Sequence, residues 1–125
     1  MMYIIIAIVI VGFVVLRYAR QRKPSLTTAQ KDQFLSDFSK IIKLQNATER
    51  LLKADSICSK ALVVAGVKGA MGQQLRSIDT WYPRINNLWK AHKLRNRVAH
   101  EHDVNVSDKQ VQRALKEFEF LLQSL

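Results

Sequence analysis

Residues 1–16 (MMYIIIAIVIVGFVVL) carry no charged side chain and are almost wholly aliphatic, and Arg17, Arg20, Arg22 and Lys23 follow directly. A helix that is apolar all round has no face to offer water and is buried in protein or lipid. A secretory signal places its charge before the apolar stretch and a small-residue cleavage site after it, the reverse of what is written here. At 1.5 Å per residue, 16 residues reach about 24 Å against a hydrocarbon core of about 30 Å, so a buried core helix stays open as an alternative. The preferred expectation is a transmembrane anchor over residues 1–19, with Arg17 reaching back to the headgroups and Tyr18 at the interface. The basic cluster then faces the cytoplasm, which gives a single-pass protein of the cell (inner) membrane with a cytoplasmic C-terminal domain.

The remaining chain is long enough for one domain of ordinary size and no more. Residues 20–26 read as a basic juxtamembrane linker in which Pro24 and Ser25 interrupt any continuous helix, and residues 27–125 form the domain. Phe34, Phe38, Ile41 and Ile42 recur at helical spacing and predict a first helix near 27–44. Asn46 with Glu49 has the form of a capping box opening a second, whose stripe is Leu51, Ala54, Cys58, Ala61, Leu62 and Ala65 and whose stop is Gly66. Met71, Leu75 and Ile78 mark a short third helix, and Pro83 suits the first turn of a fourth running to about His100. The last is the best specified: Ser107 with Gln110 caps it, Val106 staples to Val111, and Val111, Ala114, Leu115, Phe118, Leu121, Leu122 and Leu125 form its inner face. No alternating strand pattern competes, so the fold class is all-α: a short transmembrane helix, then a compact bundle of four to five helices.

Twenty Lys and Arg against ten Asp and Glu give a formal net charge of +10, unevenly placed. Between Arg84 and Arg97 there are five basic residues and no acid, whereas residues 101–125 hold five acids and three bases. The first basic cluster suits lipid headgroups and the second an anionic ligand. The single Cys58 excludes an intramolecular disulfide and gives no zinc-site spacing, so it reads as a small core residue. Gly66, Gly69 and Gly72 around Lys68 lack the order of a phosphate loop and read as a helix–helix turn. Trp81 and Tyr82 could stack on bases, although such aromatics more often close a core. No metal site or cofactor is expected from the spacing of His100, His102, Glu101 and Asp103.

Within the basic run lies Arg95-Asn96-Arg97-Val98-Ala99-His100. A guanidinium grips phosphate bidentately and an imidazole moves protons near neutral pH. Ile85, Leu88, Trp89, His92, Asn96 and Ala99 share a helix face, and Asn96 and His100 are four apart. Arg95 and His100, five apart, sit about 140° round the axis; they converge only if the helix ends near His100 or a second subunit supplies the partner. The alternative is a pair of solvated arginines and a helix-end histidine favoured by the dipole. Lys90, Lys93 and Arg97 are candidate phosphate-binding residues. Asp55, close to the second helix's stripe, is either a supporting partner of Arg95 or Lys93 or a solvated carboxylate, and His92, on the fourth helix's face, is a separate supporting candidate.

The run from Leu88 to the C-terminus resembles HEPN domains, small helical modules whose signature is Arg, four to six residues, then His, often with a polar residue after the Arg. Arg95-Asn96-x-x-x-His100 before a capped last helix is the four-residue form. The resemblance covers residues 27–125 and implies a homodimer with a composite cleft acting as a metal-independent endoribonuclease. It implies that Arg95 holds the scissile phosphate, that His100 exchanges the proton and that Asn96 orients either group. Other members of that family are silent adaptors, so an RNA-binding or nucleotide-binding module, a tethered protein-interaction module with an unknown partner and a structural membrane subunit are the competing readings. Phe120, opposite the last helix's stripe, is a candidate for a symmetric contact.

Overall fold

Three helices of the bundle start where a side chain accepts amides that a first turn leaves unpaired. Thr27 Oγ1 accepts the Gln30 N–H at 3.2 Å while Gln30 Oε1 accepts the Thr27 N–H at 3.0 Å. Ser107 and Gln110 make the same reciprocal pair. Asn46 Oδ1 accepts the Glu49 N–H at 2.9 Å, but Glu49 does not reach back; it pairs with Lys53 instead, so the expected box is half formed. A computed structural model describes residues 1–20 and 23–125, with the helices α1 (Met2–Arg20), α2 (Thr28–Ile41), α3 (Ala47–Val64), α4 (Met71–Ile78), α5 (Ile85–His100) and α6 (Asp108–Ser124). Among the described residues there is no strand, and the protein is all-α.

Helix α3 is the axis of the bundle, packed against α2, α4, α5 and α6. Its Leu51, Ala54, Cys58, Ala61 and Leu62 are buried, as are Val111, Ala114, Leu115, Phe118, Leu121, Leu122 and Leu125 of the α6 segment, so both expected stripes form the core. Gly66 stops α3 with φ +105°, while Val67 N–H bonds Leu62 O at 2.8 Å and Gly66 N–H bonds Val63 O at 3.1 Å. That is a Schellman cap, at a backbone conformation glycine adopts without strain. Pro83 lies two residues ahead of α5 rather than in its first turn. Leu26 N–H bonds Leu125 O at 2.9 Å and Lys31 Nζ donates to Gln123 O at 2.9 Å, which closes the start of the bundle onto the end of α6.

Gln74 is fully buried on α4, and its amide is the polar pin of the α3–α4 turn. It accepts from Ser59 Oγ at 2.7 Å and donates to Ser59 O at 3.0 Å and Val67 O at 2.9 Å. Gln74→Leu conserves much of the volume but takes the side-chain donor from Val67 O and the acceptor from Ser59 Oγ, and a stability loss of about 2–3 kcal/mol is expected in chemical denaturation. A loss below about 0.5 kcal/mol, the range of an ordinary surface change, would show that water replaces the amide freely.

Helix α1 contacts no other helix among the described residues, and its aliphatic side chains are exposed: Ile4 is 64 % exposed, Ile8 65 % and Val14 58 %. It is therefore not a core helix of this bundle. The full-length span expected over residues 1–19 is not met either, since among the described residues no helix is long and apolar enough to cross a membrane. Arg17 ends the uncharged run after 16 residues. Arg17 lies 5.9 Å from the Phe13 ring centroid, folded back along the helix. The expectations for the side chains of Tyr18 and Arg20, and for Gln21 and Arg22 of the linker, lie outside the described residues.

Candidate functional site

Helix α5 turns two chemically distinct faces to its neighbours. Its inward residues are Ile85, Leu88 and Ala91, with Leu94 and Val98 half-buried, whereas Ala99 is exposed. The predicted face through Ala99 is therefore rotated: α5 is wedged between α3 and α6, and the line it buries is set by both partners.

Toward α3, four polar side chains close a ring. Asp55 is only 4 % exposed, and its Oδ2 lies 2.7 Å from His92 Nδ1. His92 Nε2 lies 3.4 Å from Asn96 Nδ2, Asn96 Oδ1 accepts from Arg95 Nη1 at 3.1 Å, and Arg95 Nε returns to within 3.7 Å of Asp55 Oδ1. The Arg95 side chain is 29 % exposed, with its Nε buried and lacking a hydrogen-bond partner. A solvated Asp55 is thus overturned, and of the two expected partners Arg95 is the one it meets. Lys93 points elsewhere. The carboxylate also acts on Cys58, whose thiol is pushed well up, first by complete burial and then by the Asp55 charge; its Sγ–H donates to Phe118 O at 3.3 Å. It is a protonated core residue with no nucleophilic character.

His100 does not join this ring. It is the last residue of α5 and exposed, and because the helix stays regular up to it, it keeps the angular offset from Arg95 that five residues impose. Both polar ends of the Asn96 amide face His92 and Arg95 rather than His100. The expected trio of Arg95, Asn96 and His100 is therefore brought together only as far as Arg95 and Asn96, with His92 in the position the sequence reading gave to His100.

Toward α6, α5 lines a groove of about 510 Å³. Its floor is Ala91, Leu94 and Ala114, its rim carries Lys90, Lys93, Arg97 and Arg113, and Asn87 and Gln110 supply amides. The one carboxylate, Glu117, is already held by Arg84, whose Nε donates to it at 3.0 Å. All three cations singled out for phosphate thus line one groove, and Arg113 was missed. Its signal was faint, a lone cation on the solvent side of the last helix.

Other candidates find structural roles. Arg84 also lies 4.4 Å over the Phe120 ring, so the 42 % exposed phenyl has an intramolecular partner and no longer argues for a symmetric contact. Tyr82 is buried and stacked edge-on to Trp81, whose ring Lys23 approaches to 5.0 Å, leaving neither aromatic as a free platform for a base. Burial, with Glu117 adding to it, pushes the Tyr82 hydroxyl up to about 12. Among the described residues no group of three or more His, Cys, Asp or Glu is placed to hold a metal ion. No family model matches the chain, and no curated protein or solved structure matches it either.

Proposed function

We propose that this chain is a membrane-anchored, HEPN-like helical module that binds RNA through its phosphates on the cytoplasmic face, with the C-terminal half of α5 as the contact. The reading rests above all on the convergence of Lys90, Lys93, Arg97 and Arg113 on one groove whose only carboxylate is neutralised by Arg84. Cations gathered without competing acids attract a phosphate chain and release its counterions, which makes affinity steeply salt-dependent. Arg95 adds a guanidinium on the other side of the same helix. Cleavage asks for more: an imidazole that reaches the phosphate, and His92, beside Arg95 in the ring, is only 12 % exposed and held by Asp55. His100 of a second copy would have to supply it, so nuclease activity is tied to dimerisation and binding is not.

The membrane part of the proposal is supported by the unpartnered α1. Its uncharged length falls about 6 Å short of the hydrocarbon core, a mismatch that costs fractions of a kcal/mol per Å through bilayer thinning and snorkelling. Arg17 folded along the helix suits the second route. An interfacial helix would need a polar face, which residues 1–16 lack.

The test uses the full chain in neutral vesicles or mild detergent, with labelled mixed RNA and excess chelator. Filter binding should give a log–log salt slope of roughly −3 if four cations meet single-stranded phosphates. The Lys90→Gln, Arg97→Gln double variant should flatten the slope by roughly 1.4. Salt-independent binding, or a variant indistinguishable from the parent, would remove the reading. Ends bearing 2′,3′-cyclic phosphate in the parent and absent from His100→Ala would mark the dimeric nuclease.

A further inference from the structure

The ring of Asp55, His92, Asn96 and Arg95 has a hydrogen-bond polarity that a single proton reverses. With His92 neutral and its Nδ1–H given to Asp55 Oδ2, Nε2 is an acceptor facing the Asn96 Nδ2 donor, which leaves Asn96 Oδ1 to receive Arg95 Nη1. Each contact then has one donor and one acceptor. A second proton on His92 makes Nε2 a donor, and two N–H groups face each other across 3.4 Å. The Asn96 amide relieves this by turning over and presenting Oδ1 to His92, but its Nδ2 then meets the Arg95 guanidinium, donor against donor. At the same time the imidazolium neutralises Asp55, whose 3.7 Å attraction for Arg95 Nε is an ion pair without a hydrogen bond. Both changes push the guanidinium in one direction.

We propose that Asp55 and His92 are positioning residues for Arg95: neutral His92 holds the guanidinium inward, and protonated His92 releases it for phosphate. The inference rests on the reading of Arg95 as an RNA contact, and it names how that contact is controlled. The charged, titratable group that meets His92 is Asp55 from α3, and Arg95 of its own helix reaches the other oxygen of the same carboxylate. Cys58, beyond Asp55, is buried and protonated, and Trp89, edge-on to the imidazole with centroids 6.1 Å apart, does not titrate. From α4 and α6, the other helices packed on α5, no ion pair reaches the ring among the described residues. With its side chain 29 % exposed, Arg95 is near enough to solvent for the guanidinium to swing out without unfolding the helix. Coupling is reciprocal, so RNA that draws Arg95 outward also makes His92 take up a proton.

The experiment has two readouts on the full chain in detergent micelles. In the first, without RNA, nitrogen-15 spectra follow exchange of the Arg95 Nε–H with water while the His92 ring is titrated. The exchange should accelerate tenfold or more as His92 protonates, and His92→Gln, which keeps polar groups but cannot titrate, should be flat across the same range. In the second, RNA affinity should rise about tenfold between pH 8 and pH 5.5 in the parent and in His102→Ala, but not in His92→Gln. Arg95 exchange that ignores His92 protonation overturns the proposal whatever RNA does. A pH response that survives in His92→Gln, or vanishes in His102→Ala, overturns it as well. Loss of all RNA binding with the exchange response intact would instead overturn the RNA reading alone.

Discussion

Alkaline carbonate extraction is expected to leave the full chain in the membrane pellet, and deletion of residues 2–17 to move it almost completely to the supernatant after a high-salt wash. The effect is large because α1 exposes eleven Ile, Val, Leu and Phe side chains between Ile4 and Leu16 with nothing packed on them. At the low end of about 1.5 kcal/mol per buried large aliphatic side chain, lipid would stabilise that surface by about 15 kcal/mol. Against it stands a mismatch of about 6 Å, worth about 3 kcal/mol at half a kcal/mol per Å. Burial wins by a wide margin even if the helix dips or thins the bilayer instead of crossing an unperturbed one. Among the described residues after Arg17, the exposed large hydrophobics, Ile42, Val63, Val64 and Phe120, are spread over the bundle and cannot substitute for it. The salt wash matters because Lys23 and the other basic residues after the apolar run would hold anionic headgroups by charge alone. A full-length protein released at high pH would leave α1 without a role in lipid, and a reporter fused after Leu125 that reads as external would reverse the assigned orientation.

What could be read from the sequence was local. Ser107 and Gln110, and Gly66, act within one or two turns, so their residue types alone announce a cap and a stop. The stripes of α3 and α6 were equally plain because each of these helices buries a single broad face. Helix α5 was harder, since it touches α3 on one side and α6 on another; periodicity picked out Ala99, while packing buries Ala91. The site suffered from the same limit. Asp55 and His92 are 37 positions apart, and neither spacing nor charge says that two helices bring them to 2.7 Å. Phe120 looked unpartnered for the same reason, because Arg84 reaches it from outside its helix. The basic run did carry its message: Lys90, Lys93 and Arg97 are close enough in sequence to share one side of a helix, and they share one groove.

Asp55→Ala should destabilise the bundle by about 3 kcal/mol, because it removes the only acid from a ring that keeps a guanidinium and an imidazole out of water. Breaking a buried pair from one side costs about 3–5 kcal/mol, and the partial exposure of Arg95 argues for the lower end. Asp55→Asn keeps an acceptor for His92 Nδ1–H and loses only the charge, so about half that penalty is expected. His92→Ala removes a 12 % exposed ring but leaves Asp55 paired with Arg95, and the double variant with Asp55→Ala should fall short of additivity by about 1–2 kcal/mol. For a bundle of about 100 residues, 3 kcal/mol lowers the melting temperature by more than about 10 °C, easily seen in the helical circular dichroism of the full chain in micelles. Additive variants, or an Asp55→Ala chain within about 0.5 kcal/mol of the parent, would mean that water already satisfies the carboxylate and that α5 is held to α3 by its apolar residues alone. Arg95 would then be free at every pH. The gating of its phosphate grip by His92 would lose its physical basis, while the groove on the opposite side of α5 would keep its cations unchanged.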